Sequence, residues 1–595
     1  MLGFMNIFKD NSKIFIIFLF FYLLLLNLFQ LSEQHWSSML DQDIKMMYNS
    51  LLISSGIEQE YRDHPAYTTF FLLGGIFKFL SIFFDNFTIQ EIFKSENIDQ
   101  NLQTLFIIGR ILNSIYVFLV AFILFNILKE LNIKKNTPIL IIFLLLIFQD
   151  TYELLFLIRS EVLSILMILL FFYFLIKFIK EKKIKYTLFS GFFFCLAMLA
   201  KIQVIFLFFT FLLCFPFLIN YLKTSKNKLI YGKNYYLLSF SFLSLFLLSY
   251  IFFQVMLGIY FLEELNDPRF YLTNNIDLFL LFIFVIFYSF LINFLSKKKI
   301  VNSSEVIIAI SSILVGFALC VLFILILDLI NLIPFNKLNF MRLTNPLEYM
   351  TGFTRKFQTN SNIFITLIHY VFGFGGWLHI PFNIKNEIPL IFYLDPRVFF
   401  RTLQVIFFIF LIYFSTKNLK DKKIDYLSIS LLVGIFFQHL MFNIRETHGY
   451  NMYLFPLYAI VAAIIFDKLK KKFLVIFYLC ISIVFISENL VLSNIHKNTF
   501  AREPRVYEIC KYEKIDTVRW KNSENYVEKY NKSSFFKLVK DPKIWFFKWT
   551  KKFAPSTIED GKIKVVKSQD VFFKKYCNQI KNEKGLRSHS YKLKP

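Results

Sequence analysis

The chain has 595 residues, of which 56% are hydrophobic and only 18% charged, with a formal net charge of +25. Soluble domains run at roughly 45–50% apolar and about 25% charged, so the composition argues against a water-soluble globule. Nor does the charge indicate nucleic acid: the tail from Glu488 holds 25 Lys or Arg against 12 Asp or Glu, and most of the remaining excess sits in short loops between apolar runs.

Those runs are long. Ile14–Leu31, Leu105–Leu128, Tyr236–Tyr260, Leu278–Leu295 and Val306–Ile333 are apolar with almost no charge. About 20 such residues in a helix cross the hydrocarbon core of a bilayer, and backbone polar groups there must be paired within the segment. A β-barrel would alternate over strands of about 10 residues instead. The expected fold class is therefore all-α and polytopic, with about 13 transmembrane helices. The first run exceeds a typical signal-peptide core and no small-residue cleavage site follows Leu31, so it reads as a retained anchor.

Next along the chain, residues 43–55 read as a helix lying flat on the membrane. Ile44, Met47, Tyr48, Leu51 and Leu52 share one face, and Asp43, Lys45, Asn49, Ser50 and Ser54 are polar. Pro65–Phe84 is apolar enough to span. Loop charge nevertheless places both of its flanks on the same side, so it reads as interfacial or re-entrant, which its starting proline and Gly74-Gly75 suit.

Short Lys-rich loops set the orientation. Lys129–Thr137, Lys177–Lys185, Lys223–Lys233, Lys297–Lys299, Lys417–Lys423 and Lys468–Lys472 are assigned to the cytoplasm, together with Lys9 and Lys13 at the N-terminus. The alternating loops Asp85–Asp99, Asp150–Glu161, Glu263–Asp277 and Asn443–Asn451 are acidic or neutral and go outside. The expected organisation is a transmembrane catalytic domain over 1–487, whose first outside loop is 32–104 with its interfacial helices. A small C-terminal α/β domain over 488–595 follows, outside the cytoplasm on this count.

In that tail, Asp560-Gly561 is a turn signal. Trp545, Phe546, Phe547, Trp549 and Phe553 interleave with Lys543, Lys548, Lys551 and Lys552. This pattern fits either docking on an anionic membrane or the core of a small domain. Cys195, Cys214, Cys320 and Cys480 lie in apolar segments and read as packing residues. Cys510 and Cys577 could pair if the tail faces an oxidising compartment. No CxxC spacing is present.

Chemistry is suggested by the first outside loop, with Asp41-Gln42-Asp43, Gly56 and Tyr61-Arg62-Asp63-His64-Pro65. By itself this reads as a solvated loop in which Asp41 caps the flat helix. Further on come Gly109-Arg110-Ile111-Leu112-Asn113-Ser114, then Arg159-Ser160-Glu161. A segment from Gly191 to Lys201 containing Leu196-Ala197 follows, and finally His448, Tyr450, Tyr453 and Pro456. In order and spacing this set resembles the C-type (GT-C) superfamily of membrane glycosyltransferases, similar to its aminoarabinose transferases and protein O-mannosyltransferases. The resemblance is strongest over 14–205, weaker to 460 and absent from the tail. The chain departs from the pattern at Gln42, where the family often has a second acid, in its single proline, and in the displaced Arg445.

The resemblance implies transfer of a sugar from a polyprenyl-phosphate carrier to an acceptor outside the cytoplasm, by an inverting displacement. The acceptor would be a cell-envelope lipid, a glycan or a protein. The enzyme would be a multi-pass protein of the plasma (inner) membrane in contact with its lipids. Asp41 is the candidate base for the acceptor hydroxyl, with Asp43 as second choice. Lys201, which interrupts two apolar segments, is the leading candidate for the donor phosphate. Arg159, Arg110, Arg445 and His448 are weaker candidates, and Lys201 could equally be a snorkelling turn residue. Glu161 is assigned to the acceptor, a metal or an ion pair with Arg159, and His64 to the acceptor or a metal. A divalent ion, Mg or Mn, at Asp41, Asp43 and Glu161 is allowed and not required. Two other classes compete. A lipid or glycan transporter or flippase would show symmetric halves with broken helices, and no repeat is visible. A non-catalytic scaffold of a surface-polysaccharide complex would tolerate loss of Asp41. Asp328, late in an apolar run, reads as a helix-end residue.

Overall fold

The computed structural model describes residues 17–25, 43–57, 66–85, 98–134, 136–147, 157–222, 276–298, 303–335, 426–443, 455–467, 556–559 and 562–565, with a few shorter pieces between them. The described residues are overwhelmingly helical. In chain order they form α1 (Asp43–Ser54), α2 (Tyr67–Leu80), α3 (Ile98–Glu130), α4 (Asn136–Ile147), α5 (Ser160–Glu181) and α6 (Ile184–Ala200). After a 3-10 turn at Ile202–Val204 come α7 (Ile205–Tyr221), α8 (Ile276–Lys297), α9 (Ser303–Leu329), α10 (Tyr426–Asn443) and α11 (Phe455–Phe466). In the tail, β1 (Ser556–Glu559) pairs antiparallel with β2 (Lys562–Val565), flanking the Asp560-Gly561 turn signal.

Three stretches are long and apolar enough to cross a membrane: Gln100–Glu130 in α3, Ser160–Glu181 in α5 and Ser304–Leu329 in α9. Outward-facing side chains agree. Phe287, Phe290 and Phe294 form an exposed stripe on α8, and Leu319, Leu322, Phe323 and Ile326 a second on α9. Contiguous apolar stripes of this kind suit lipid rather than water. The protein is thus an all-α membrane protein over its described helices. The expected crossing Tyr236–Tyr260, the rest of the tail, Cys510, Cys577 and most of the loop Pro334–Phe399 lie outside the described residues.

Close helix contacts are made where side chains are missing. A Cβ on Gly191 of α6 would fall 1.8 Å from the Ile313 carbonyl oxygen of α9, and one on Gly316 of α9 would fall 2.0 Å from the Leu188 carbonyl oxygen of α6. The two glycines let these backbones touch, the usual device where lipid removes the hydrophobic drive for helix association. Gly434 of α10 instead leaves room for a side chain, since a Cβ there would fall 2.0 Å from Thr210 Cγ2 of α7.

Ion pairs gather the Lys-rich turns at one end of the bundle. Lys177 and Lys180 near the end of α5 both reach Glu130 at the end of α3, at 2.7 and 2.9 Å. Lys182, just past α5, pairs with Glu305 at the start of α9. Lys134 donates from its backbone N–H to Asp467, just past α11, at 2.9 Å. This end therefore unites two of the Lys-rich loops that were expected to share one side of the membrane.

The opposite end holds the segment expected to be the first outside loop. Asn49, Ser50 and Ser54 of α1 are buried along with Met46, Met47, Leu51, Leu52 and Ile53, so these polar residues meet protein and not water. The polar groups are satisfied inside the protein, with Ser54 Oγ donating to the Phe87 carbonyl oxygen at 3.0 Å and Ser50 Oγ to Met46 at 2.7 Å. Period alone cannot separate a face turned to water from one hydrogen-bonded within the fold. α2 has 14 residues, about 21 Å of helix, shorter than the roughly 30 Å of a hydrocarbon core. Its Gly74 lies against α1, where a Cβ would come within 2.7 Å of the Ser50 carbonyl oxygen.

Candidate functional site

Four elements meet at the end opposite the Lys-rich turns. α5 starts there at Ser160, α6 ends there at Ala200, α2 packs onto both, and α1 packs onto α2. α3 passes alongside, so close that a Cβ on Gly109 would lie 2.6 Å from Ile158 Cδ1 and 3.2 Å from Met47 Cε. Gly109 thereby brings α1 and the segment before α5 against the residue that precedes Arg110. Gly56, singled out in the sequence, ends α1 at φ +74°, with its N–H donating to the Ile53 carbonyl and the Ile57 N–H to Leu52. That is a helix-ending turn in which only glycine is unstrained, so its role is structural.

Lys201 and Glu161 form the centre. Lys201 follows α6 with an extended backbone, φ −158° and ψ 120°, and breaks the helix before the 3-10 turn, as its place between two apolar segments foretold. Its Nζ donates to Glu161 Oε1 at 2.9 Å, and both side chains are 5% exposed. Glu161 lies in the first turn of α5, where its charge complements the helix dipole. Ser164 Oγ donates to the Glu161 carbonyl oxygen at 2.8 Å. The expected alternatives for Glu161 thus meet a different partner: its carboxylate is engaged by Lys201, with Arg159 adding its field from the residue before the helix.

Arg159 is extended, at φ −132° and ψ 146°, and half-buried. Its Nε is buried and its N–H donates to no hydrogen-bond partner. Arg110 is fully buried on α3, its guanidinium 5.8 Å from the Phe106 ring. Asn113 and Ser114, three and four residues on, are buried too, so α3 turns a polar face inward. In the sequence these two stood only as the end of the Gly109–Ser114 motif and were given no role, although their spacing from Arg110 could have shown one.

Of the residues expected from sequence, the structure thus brings Lys201 and Glu161 into direct contact, with Arg159 and Arg110 at the same end. Asp43 is the first residue of α1, one helical turn before Met47, and its side chain lies outside the described residues. Asp41, His64, Arg445 and His448 lie outside them altogether. Among the described residues no three His, Cys, Asp or Glu side chains come together as a metal-binding group. Asp328, near the end of α9, accepts the Phe335 N–H at 2.9 Å, as a helix-end residue would.

Buried polar atoms without partners also collect here. Tyr67 Oη and Thr69 Oγ1 on the first turn of α2, and Arg159 Nε, have none. Such atoms are rare in native interiors, and each calls for a ligand, a water or a functional reason. The chain matches no known protein family, no curated protein and no solved structure.

Proposed function

We propose that the chain is an integral-membrane glycosyltransferase that moves a sugar from a polyprenyl-phosphate carrier to an acceptor outside the cytoplasm. The observation that supports this reading most is the gathering of Arg110, Arg159 and the Lys201–Glu161 pair, at one end of the bundle, beside the helix that begins at Asp43. Cationic side chains of this kind are what an anionic phosphate ligand would meet.

The chemistry asks for two services. The acceptor hydroxyl loses its proton to a carboxylate, Asp41 or Asp43, as its oxygen bonds to the anomeric carbon. The bond from that carbon to the phosphate oxygen breaks, and its electron pair leaves with the phosphate. Charge growing on the phosphate oxygens is stabilised by fixed cationic donors in a poorly solvated site. Arg159 is the better-placed donor, because Lys201 Nζ is already engaged by Glu161. Lys201 and Glu161 then act together as a positioning pair that seats the end of α6 on the start of α5.

The test uses purified protein in nanodiscs, a panel of polyprenyl-phosphate sugars and a crude membrane acceptor fraction, read by mass spectrometry. Turnover of one donor that is lost in Asp41→Asn supports the reading. Full turnover in Asp41→Asn and Asp43→Asn alike removes both bases. No turnover of any donor, with or without acceptor, sinks the transferase.

A further inference from the structure

We propose that the Lys-rich end of the bundle is a docking surface for an anionic phospholipid, with Lys185 and Lys298 meeting the headgroup phosphate and Phe189 and Phe294 lying against the acyl chains. The surface is at the end away from the candidate site, and it stands whether or not the chain is a transferase.

Charge at this end is unbalanced. Glu130 is taken by Lys177 and Lys180, Glu305 by Lys182 and Asp467 by Lys134. Glu181, the last residue of α5, is taken by Lys183 at 2.9 Å. Lys185 on the first turn of α6, Lys297 at the end of α8 and Lys298 just past it are all exposed. None of these three has a carboxylate partner among the described residues, because the carboxylates described at this end are already engaged.

The two groups of lysines come to one place through α9. Glu305, in the first turn of α9, pairs with Lys182, three residues before Lys185. Lys298 stands five residues before Ser303, which opens α9. Five residues of chain span at most about 18 Å, so Lys298 and Lys185 both lie near the same helix start.

What selects a lipid over a soluble anion is the apolar ring beside each lysine. Phe189, four residues after Lys185 on α6, is 48% exposed, and Phe294, four residues before Lys298, is 53% exposed. Residues four apart on a helix share a face. The Lys298 N–H donates to the Phe294 carbonyl oxygen, so the helical turn still joins them, and Lys298 Nζ lies 6.0 Å from the Phe294 ring centroid. α6 starts at this end and α8 finishes at it, so in both helices the ring stands one turn further into the bundle than the lysine. Phe290, another turn along α8, is 74% exposed and prolongs the apolar strip. Positive charge at the rim with exposed hydrocarbon-like surface beneath it matches a phospholipid, whose phosphate and acyl chains have the same order. A soluble polyanion would meet the lysines and leave the rings uncovered. Lysine clusters flanking membrane helices attract anionic headgroups, at roughly fivefold in affinity for each lysine near the surface.

The experiment uses the full chain in a neutral detergent. Phosphatidylglycerol and phosphatidylcholine of equal chain length are added as an equimolar mixture, and the lipids retained are counted by native mass spectrometry. Wild type should retain phosphatidylglycerol in preference to phosphatidylcholine. The preference should fall about fivefold in Lys185→Gln and in Lys298→Gln, and further in the double variant, whereas Lys185→Arg with Lys298→Arg should keep it. Soluble glycerol phosphate should not displace the lipid at matched concentration. These side chains are exposed, so the lipid-free Tm should stay at the wild-type value and report that each variant is folded. No preference in wild type, a preference that survives in the folded double Gln variant, or displacement by glycerol phosphate overturns the docking surface.

Discussion

Lys201 Nζ donates to Glu161 Oε1 at 2.9 Å, joining the end of α6 to the start of α5 in a place where both side chains are almost fully buried. Removing one partner of such a pair leaves a buried charge uncompensated, which costs about 3–5 kcal/mol, whereas replacing both by apolar residues is often near neutral. Glu161→Gln and Lys201→Met should each lower Tm, and Glu161→Leu with Lys201→Leu should recover most of the loss. Simple additivity of the single losses in a double-mutant cycle would mean that the pair is not coupled.

The glycine crossing of α6 and α9 predicts a contrast between glycines. Gly191→Ala and Gly316→Ala each place a methyl group onto a facing carbonyl, at 1.8 and 2.0 Å in the unshifted backbone, and the helices must separate. Each should destabilise by about 1–3 kcal/mol, and less than additively together, because one separation relieves both. Gly75→Ala is the control: its nearest neighbour would be Ile333 Cδ1 at 3.9 Å, so that change should be neutral or slightly stabilising. Thermal unfolding in detergent distinguishes the two kinds.

Burial of the polar face of α1 can be read chemically. In a background lacking the six native cysteines, Asn49→Cys and Ser54→Cys should stay unlabelled by a water-soluble maleimide. A helix lying flat on the membrane would label readily at both positions.

Sidedness follows from the segregation of charge. Lys183 is exposed at the Lys-rich end, and Gln100 is exposed near the start of α3, at the other. Lys183→Cys should label from the cytoplasmic face only, and Gln100→Cys from the opposite face only. Labelling of both from one side would overturn the orientation drawn from loop charge.

Much of this molecule is written in local properties. Apolar runs without charge give the membrane helices of α3 and α9, because a bilayer reads length and hydropathy before it reads any contact. Lysine placement named the turns that Glu130, Glu305 and Asp467 draw together. Lys201 stood out as a break between two apolar segments, and Asp560-Gly561 as a turn. Tertiary structure alone decided the pairings. Nothing local joins Glu161 to Lys201 rather than to Arg159, since charge in a sequence has no direction and forty residues separate the partners. Nor does the pattern of α1 disclose that its polar face meets protein instead of water. Gly191 read as part of a motif, but its need for glycine lies in Ile313 of a distant helix. The unpartnered hydroxyls of Thr69 and Tyr67 are likewise invisible in sequence, because being unpartnered is a property of surroundings that only packing defines.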